Sequence, residues 1–453
     1  MDLTGKKVLI VGAGISGFAA AKIARRLGAQ VTLSDAKNET DLDDDFTELR
    51  DMGINLAFGP QSEELLDGVS LVIVSPAVPA RIPLIQSAYK RKIRVASEVE
   101  LAYRLKKAPL CAVTGTNGKT TTVTLLGLLL ESHFDKVGVG GNIGVPLSEV
   151  ALEIPADGCI AAEISSYQME VTEDFHPHVA AVLNVTPDHI VRHGSLEEYQ
   201  RMKEKMFAQQ KGKDFLVLNY DDERVRDMAN RASAHVVFFS RQVHLHEGAY
   251  LEDDQLIIAW NGEEYPLCTI KELGIKGAHN VENALAAAMS AFLAGCRAEE
   301  MVPVLKSFRG VEHRIEYVRT LDGVEYYNDS KATNTDSAIK ALETFDRGIV
   351  LLAGGDDKLT DLTDFLARVQ EKVTDLVLIG AAADRFEQEA LKQGYPREHI
   401  HRAGFSMDKA VELAHSLAKA PQVVLLSPAC ASFDMYNGMA ERGRNFKDLV
   451  NRL

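Results

Sequence analysis

A chain of 453 residues is long for one ordinary domain, and at about 150 residues per domain it is expected to form three. Its hydrophobic share of 46% and charged share of 25% are those of a globular protein and exclude a disordered chain. A net charge of −15 without a dense Lys/Arg run argues against nucleic-acid or acidic-membrane partners, and leaves room for small anionic substrates in a pocket that gathers positive groups.

In chain order, the apolar run Lys7 to Val11 leads into Gly12-Ala13-Gly14-Ile15-Ser16-Gly17 and an Ala-rich helix to about Leu27. A second strand, Gln30 to Leu33, ends at Ser34-Asp35. This is the dinucleotide fingerprint with an acid about 20 residues beyond the glycines. It suits a nicotinamide cofactor, a flavin, or any diphosphate resting on a helix N-terminus, such as a nucleotide sugar. Leu71 to Val74 is a further strand running into Ser75-Pro76-Ala77, and a new unit is expected near Ser97.

The stretch Leu110 to Thr122, LCAVTGTNGKTTT, organises the next unit. Gly115 and Gly118 let backbone N–H groups approach phosphate oxygens, and the following helix points its positive end at the same place. Lys119 can reach terminal phosphates and Thr120 can offer its hydroxyl to magnesium, although Thr116 and Asn117 alone separate glycines that normally stand four residues apart. A strand is expected at Lys136 to Val139 before Gly140-Gly141-Asn142-Ile143-Gly144. The run Cys159 to Ala162 closes on Glu163, which is either a magnesium-holding carboxylate at a strand end or a capping, solvated glutamate. The strand Val179 to Leu183 leads to Asp188-His189, where the histidine is a ligand or simply a structural loop residue.

A helix is expected from Ser195 to Gln210, opened by Ser195 and Glu198 as a capping box. Leu196, Tyr199, Met202, Met206 and Phe207 share one face, and Lys203 falls inside it, opposite Glu197, Arg201, Glu204 and Lys205. An inward lysine must find an anion, snorkel, or give up its proton, and the last case leaves an amine open to modification. Strands follow at Phe215 to Leu218 and Val236 to Phe239, with a hairpin within Tyr250 to Trp260. Asn280 and Asn283 open a long Ala-rich helix, where they either face one ligand or, for Asn280, cap the helix.

The last unit starts near Gly310 and carries Glu312-His313-Arg314, then Asn328-Asp329-Ser330-Lys331-Ala332-Thr333-Asn334. Strands at Ile349 to Leu352, Leu376 to Ile379 and Val423 to Leu426 alternate with helical stretches, which implies a parallel sheet. Their carboxyl ends, where ligands bind in open α/β sheets, carry Gly354 to Lys358, Gly380 and Ser427 to Ser432. Cys111, Cys159, Cys268, Cys296 and Cys430 are scattered without a C-x-x-C pair, so reduced thiols and a cytoplasmic location are expected. No leader or anchor is expected, because no apolar segment approaches the ~18 residues that span a bilayer.

With these segments in place, the chain resembles the Mur ligase family from Gly12 to Gly443. TGTNGKTT, GNIG, an acid followed by SS-x-Q, NVTPDH, GAHN-x-x-N, EHR, NDSKATN, GG-x-D-K and SPACAS occur in the family's order. The resemblance implies an α/β fold of three domains: a Rossmann-like 1–96 holding a UDP-sugar, a central P-loop ATPase-like 97–309 with a mostly parallel sheet, and a Rossmann-like 310–453 holding an amino acid. NDSKATN and the N-terminal glycine motif point to a member that adds D-glutamate to UDP-N-acetylmuramoyl-L-alanine (UDP-MurNAc-L-alanine) with ATP, through an acyl phosphate. By the same resemblance, Thr120 and Glu163 hold one Mg2+, and His189 with a carbamylated Lys203 holds a second. Gly115, Thr116, Asn117, Gly118, Lys119, Thr120, Thr121, Asn280, Asn283, Arg314 and Asp329 then contact ATP. Ile15, Ser16, Asp35, Ala36, Lys37, Ser75, Asn142 and His189 match the UDP-sugar side, and Lys331, Thr333, Lys358, Ser432 and Phe433 the D-glutamate clamp. Ala77 and Met439 stand where the family usually has Gly and Phe. A monomer whose domains close around substrates is expected. A folylpolyglutamate synthetase-like ligase, a NAD-dependent oxidoreductase and a nucleotide-gated binding module are the competing readings.

Overall fold

The computed structural model describes residues 1–42, 45–345 and 348–453. The chain forms two compact units, Met1–Leu273 with Glu282–Lys306, and Gly274–Val281 with Ser307–Leu453. The first unit contains two sheets. Strands β1 (Lys7–Val11), β2 (Gln30–Asp35), β3 (Asn55–Phe58), β4 (Val69–Val74) and β5 (Arg94–Ser97) lie in the order β3-β2-β1-β4-β5, all parallel. The order reverses between β1 and β4, which opens a crevice beyond their carboxyl ends. Gly17 is fixed by packing, since a Cβ there would meet the Gly12 carbonyl oxygen at 1.9 Å.

The second sheet comprises β6 (Leu110–Thr114), β7 (Val137–Gly141), β8 (Cys159–Glu163), β9 (Val179–Val182), β10 (Phe215–Asn219), β11 (His235–Ser240), β12 (Gly248–Glu252), β13 (Gln255–Trp260) and β14 (Glu263–Thr269). Its order is β14-β13-β12-β11-β10-β9-β6-β8-β7, parallel up to β12 and antiparallel from β12 to β14. The parallel strands β6, β8 and β9 are buried along their whole length because helices cover both faces, which is why they read as unbroken apolar runs.

The second unit carries β15 (Glu316–Leu321), β16 (Val324–Asn328), β17 (Ile349–Gly354), β18 (Val373–Ile379), β19 (Ile400–Gly404) and β20 (Val423–Leu426), in the order β15-β16-β20-β17-β18-β19. β15 is antiparallel to β16 and the rest run parallel. The α/β class and mostly parallel sheets agree with the sequence reading.

Several expected boundaries move. The strand placed at Lys136 to Val139 occupies Val137–Gly141, because pairing with β8 carries it on to Gly141 opposite Glu163. The helix expected to reach Gln210 spans Leu196–Glu204. Its last carbonyls are taken by tighter bonds, Met206 N–H to Lys203 O (3.1 Å) and Phe207 N–H to Glu204 O (3.1 Å), a turn that buries Met206 and Phe207. The capping box is half formed: Ser195 Oγ accepts from Glu198 N–H at 3.2 Å, but the Glu198 carboxylate pairs with Arg201. A complete box forms instead at Ser165 and Gln168. Strands β3, β5, β14 and β19 have no counterpart in the sequence reading; β3 and β14 are short or polar enough to lack a clear alternating pattern. Among the described residues, no helix is long and apolar enough to cross a membrane.

Candidate functional site

The first crevice is a cavity of about 530 Å³ at the carboxyl ends of β1, β2 and β4, lined by Gly12, Gly14, Asp35, Lys37, Ala77 and Val78 among others. Its lining is mostly apolar, with the helix Ile15–Arg26 starting at its rim. Asp35 spends both oxygens on backbone: Oδ2 accepts from Ala13 N–H at 2.8 Å and Oδ1 from Lys37 N–H at 3.0 Å. It therefore shapes the glycine turn. Ser75 is buried behind Gly12, whereas Ile15, Ala36 and Lys37 are exposed at the rim.

The central loop begins where β6 ends. Gly115 (φ +156°) and Gly118 (φ +84°) take conformations that suit glycine, and Gly118 caps the helix Lys119–Glu131. The loop is braced from behind by the segment after β9. Asn117 N–H donates to Asn184 Oδ1 at 2.8 Å, Thr116 N–H donates to Asn184 O at 3.0 Å, and Thr186 N–H donates to Thr116 Oγ1 at 3.1 Å. Asn184 and Thr186 are functional supports that sequence reasoning quoted within NVTPDH but gave no role. Asn283 Oδ1 accepts from Thr122 Oγ1 at 3.2 Å, and a Cβ on Gly118 would meet the same oxygen at 2.3 Å.

Two lysines converge on this loop. Lys119 Nζ donates to Gly115 O at 2.8 Å and to Thr116 O at 2.7 Å; Lys203 Nζ donates to the same Gly115 O at 2.8 Å. Lys203 is 1% exposed and lies 4.2 Å from the centre of the Tyr199 ring. Burial, then the nearby Lys119 charge, holds its pKa well below the ordinary lysine value. The inward helix position thus buries the amine at a depressed pKa, rather than letting it snorkel to solvent. Lys205, expected on the solvent side, is half-buried and donates to Met169 O and Glu170 O, both at 2.8 Å.

Glu163, at the end of β8, sits in register with Val113 of β6, two residues before Gly115. One carboxylate oxygen accepts from Asn142 Nδ2 at 2.8 Å, while Oε2 is buried with no hydrogen-bond partner. A desolvated carboxylate oxygen left unpaired is costly, and a cation is the group that removes the cost. With the Thr120 hydroxyl at the first turn of the helix Lys119–Glu131, the donor set is hard oxygen, as magnesium requires. The capping reading of Glu163 fails, since the helix that follows is capped by Ser165.

His189 stands at φ +54° just before the short helix Ile190–His193. Its Nδ1 is 3.0 Å from the Tyr167 hydroxyl, and its ring centre is 6.2 Å from that of Tyr199, the ring that also carries Lys203. Tyr199 thus brings the two together. Neither tyrosine was singled out for chemistry in the sequence: Tyr199 read as part of an apolar helix face, and Tyr167 was the unspecified position of SS-x-Q.

In the second unit the clamp residues follow adjacent strands: Lys331 and Thr333 after β16, Ser432 and Phe433 after β20, Lys358 after β17. Asp356 N–H donates to Ala431 O at 3.0 Å and ties the last two loops together. Arg442, 1% exposed, ties in the first: it donates to Ser330 Oγ (3.0 Å), Ser330 O (2.9 Å), Ala431 O (2.9 Å) and Cys430 O (3.2 Å). Sequence reasoning missed it, because nothing in a helical arginine signals that it points inward.

Asp329, expected among the ATP contacts, also bonds within the protein. Its Oδ1 accepts from Ile315 N–H at 3.2 Å and Oδ2 from Ser427 Oγ at 2.7 Å, and burial pushes its pKa up to about 7. Asn280, expected either to cap the helix or to face a ligand, lies within the helix Ala278–Leu293, and its Nδ2 donates to Lys276 O at 2.7 Å. Arg314 Nε is buried without a hydrogen-bond partner.

Three family models cover most of the chain: "Mur ligase MurD-like, N-terminal domain" over residues 6–97, "Mur ligase middle domain" over 113–291, and "Mur ligase, glutamate ligase domain" over 313–430. The chain is 44% identical over 453 residues to a UDP-N-acetylmuramoylalanine–D-glutamate ligase of Thermoanaerobacter sp. (strain X514), covering 100% of both. It is 42% identical over 449 residues to the ligase of the same name from Pelotomaculum thermopropionicum, covering 99% of this chain and 98% of the relative. Among solved structures, UDP-N-acetylmuramate-alanine ligase MurC from Thermotoga maritima shares the fold at a TM-score of 0.60 and 21% identity, over 98% of this chain and 99% of that one. MurF ligase from Thermotoga maritima, in complex with ADP, does so at 0.59 and 16%, over 100% and 96%.

Proposed function

The chain belongs to the Mur ligase family, and on that premise we propose that it joins D-glutamate to UDP-MurNAc-L-alanine, driven by ATP, as a step of peptidoglycan precursor synthesis. The observation that carries the chemistry is the meeting of Lys119 and Lys203 on the Gly115 carbonyl, with a bondless buried oxygen of Glu163 on the neighbouring strand. A carboxylate is a poor acyl donor. Its oxygen attacks the γ-phosphorus of ATP, the bond to ADP breaks, and an acyl phosphate results. The D-glutamate amine then attacks the acyl carbon, phosphate leaves, and the amine sheds a proton as the amide forms.

Phosphoryl transfer rests on positioning and neutralising charge, which the backbone N–H groups at the start of the helix Lys119–Glu131 and the Lys119 ammonium supply. Thr120 and Glu163 would hold one Mg2+; His189 and a carbamylated Lys203 would hold a second. Magnesium supplies charge neutralisation between the reacting phosphate and carboxylate oxygens. Only a neutral amine adds carbon dioxide, so the burial of Lys203 supports the carbamate. The crevice around Gly12, Asp35, Ala36, Lys37 and Ser75, with Ile15 and Ser16 at its rim, takes the UDP-sugar, with Asn142 and His189 toward its reactive end. Lys331, Thr333, Lys358, Ser432 and Phe433 take the two D-glutamate carboxylates. Asn280, Asn283, Arg314 and Asp329 are assigned to ATP by the family pattern. We assign the domains as 1–96, 97–309 and 310–453, and the enzyme as a cytoplasmic monomer with no membrane or nucleic-acid partner.

The test is incubation with UDP-MurNAc-L-alanine, D-glutamate, ATP, Mg2+ and bicarbonate. Phosphate release with a new amide in the mass spectrum is expected. No phosphate would discard the reading. The oxidoreductase alternative is not favoured, since the full-length relatives and the three family models are those of Mur ligases.

A further inference from the structure

We propose that Arg192 is a positioning residue that couples the first crevice to the His189 turn, so that sugar-nucleotide binding and assembly of the His189–Lys203 pair favour each other; this rests on the sugar-nucleotide reading of the crevice. Arg192 belongs to the central part of the first unit and is not among the residues assigned above to substrate, nucleotide or metal. Its guanidinium offers five N–H donors in a rigid fork. Two hold Glu170, Nε at 2.7 Å from Oε1 and Nη2 at 2.9 Å from Oε2. Nη1 donates to Ala77 O (3.2 Å), and the remaining Nη2 proton is shared between Pro76 O (3.2 Å) and Val78 O (3.0 Å), so the fork reaches three consecutive carbonyls of the segment after β4.

That segment is a wall of the crevice, because Ala77 and Val78 line the cavity. On its other side Arg192 lies 4.7 Å from the centre of the Tyr167 ring, and the Tyr167 hydroxyl is 3.0 Å from His189 Nδ1. Independently of the side chain, the Arg192 backbone N–H donates to His189 O at 3.0 Å and closes the turn. One side chain therefore fixes both the crevice wall and the residue that orients His189. A ligand that settles the wall in this position lowers the cost of ordering His189, and by linkage a cation held at His189 tightens the sugar nucleotide by the same factor. A lysine cannot replace the fork, since one ammonium cannot serve a bidentate carboxylate and three carbonyls together.

The experiment is calorimetric titration of UDP-MurNAc-L-alanine and, separately, ADP into the full-length wild type, Arg192→Ala and Arg192→Lys, each in EDTA and in Mg2+. The expected result is about 10-fold weaker sugar-nucleotide binding in Mg2+ for both variants, loss of the tightening that Mg2+ gives the wild type, and unchanged ADP affinity. Wild-type affinity and Mg2+ dependence in Arg192→Ala would overturn the proposal, as would a parallel loss of ADP binding, which marks general damage to the fold. Should Arg192→Ala fail to fold, Glu170→Gln decides: about 3-fold weaker sugar-nucleotide binding supports the coupling, and no change overturns it. A wild type that binds ADP but no sugar nucleotide would instead sink the functional reading of the crevice.

Discussion

The turn Gly12–Gly17 after β1 and the turn Gly115–Gly118 after β6 share a plan: an apolar parallel strand, glycines, and a helix N-terminus. Around the first, the polar investment goes into the turn itself, with Asp35 tying down Ala13 and Lys37 beside a mostly apolar cavity. Around the second, polar groups are held in reserve: two lysines lean on one carbonyl, and Glu163 keeps a buried oxygen without a partner. Similar backbone geometry thus serves holding in one place and reaction in the other. Side chains from distant segments make the difference.

Removing Lys119 should test that division most severely. Lys119→Ala is expected to cut kcat by about 10²–10³-fold, read by phosphate release at saturating substrates, as expected for a charge aimed at the transition state. A loss confined to KM would put the central loop in the same binding role as the first turn. Lys203→Ala should lower kcat by about 10²-fold, with partial recovery when a short carboxylic acid is added to stand in for the carbamate. Full activity without rescue would remove Lys203 from the mechanism.

Glycine replacement probes the shared plan rather than the difference. In Gly17→Ala the new methyl would press on the Gly12 carbonyl at 1.9 Å, so thermal or denaturant unfolding should show about 1–3 kcal/mol of destabilisation. At Gly118 a Cβ would meet the Asn283 side chain at 2.3 Å, which can move, but φ +84° strains any other residue; Gly118→Ala should therefore lower stability by about 1–2 kcal/mol as well as weaken ATP binding, read by unfolding and by titration with ATP. Smallest of all, Asp35→Asn keeps one acceptor and loses charge, and should raise KM for the sugar nucleotide about 3–10-fold while leaving kcat unchanged. A large fall in kcat there would erase the contrast between the two turns.

Local patterns made much of this visible in advance. Strand-glycine-helix order announced both turns, and helical phase placed Lys203 on an apolar face, where the structure buries it. Phase gave no hint, however, that the helix would end at Glu204 or that Lys205 would find the carbonyls of Met169 and Glu170. The same limit hid Arg192 and Arg442. Each is an ordinary surface arginine by sequence, and each serves several main-chain carbonyls from segments more than ten residues away.

The sequence by itself determined the α/β class, the glycine turns and the inward Lys203, because strand burial, turn conformation and helix phase depend on neighbours within a few positions, whereas most of the residues assigned to ligands rest on the family resemblance. Tertiary structure alone decided which polar atoms remain available. Asp329 bonds to Ser427 and Ile315, Asp35 braces its own turn, and Glu163 keeps one oxygen without a hydrogen-bond partner, since hydrogen-bond satisfaction is settled by groups brought together from far along the chain.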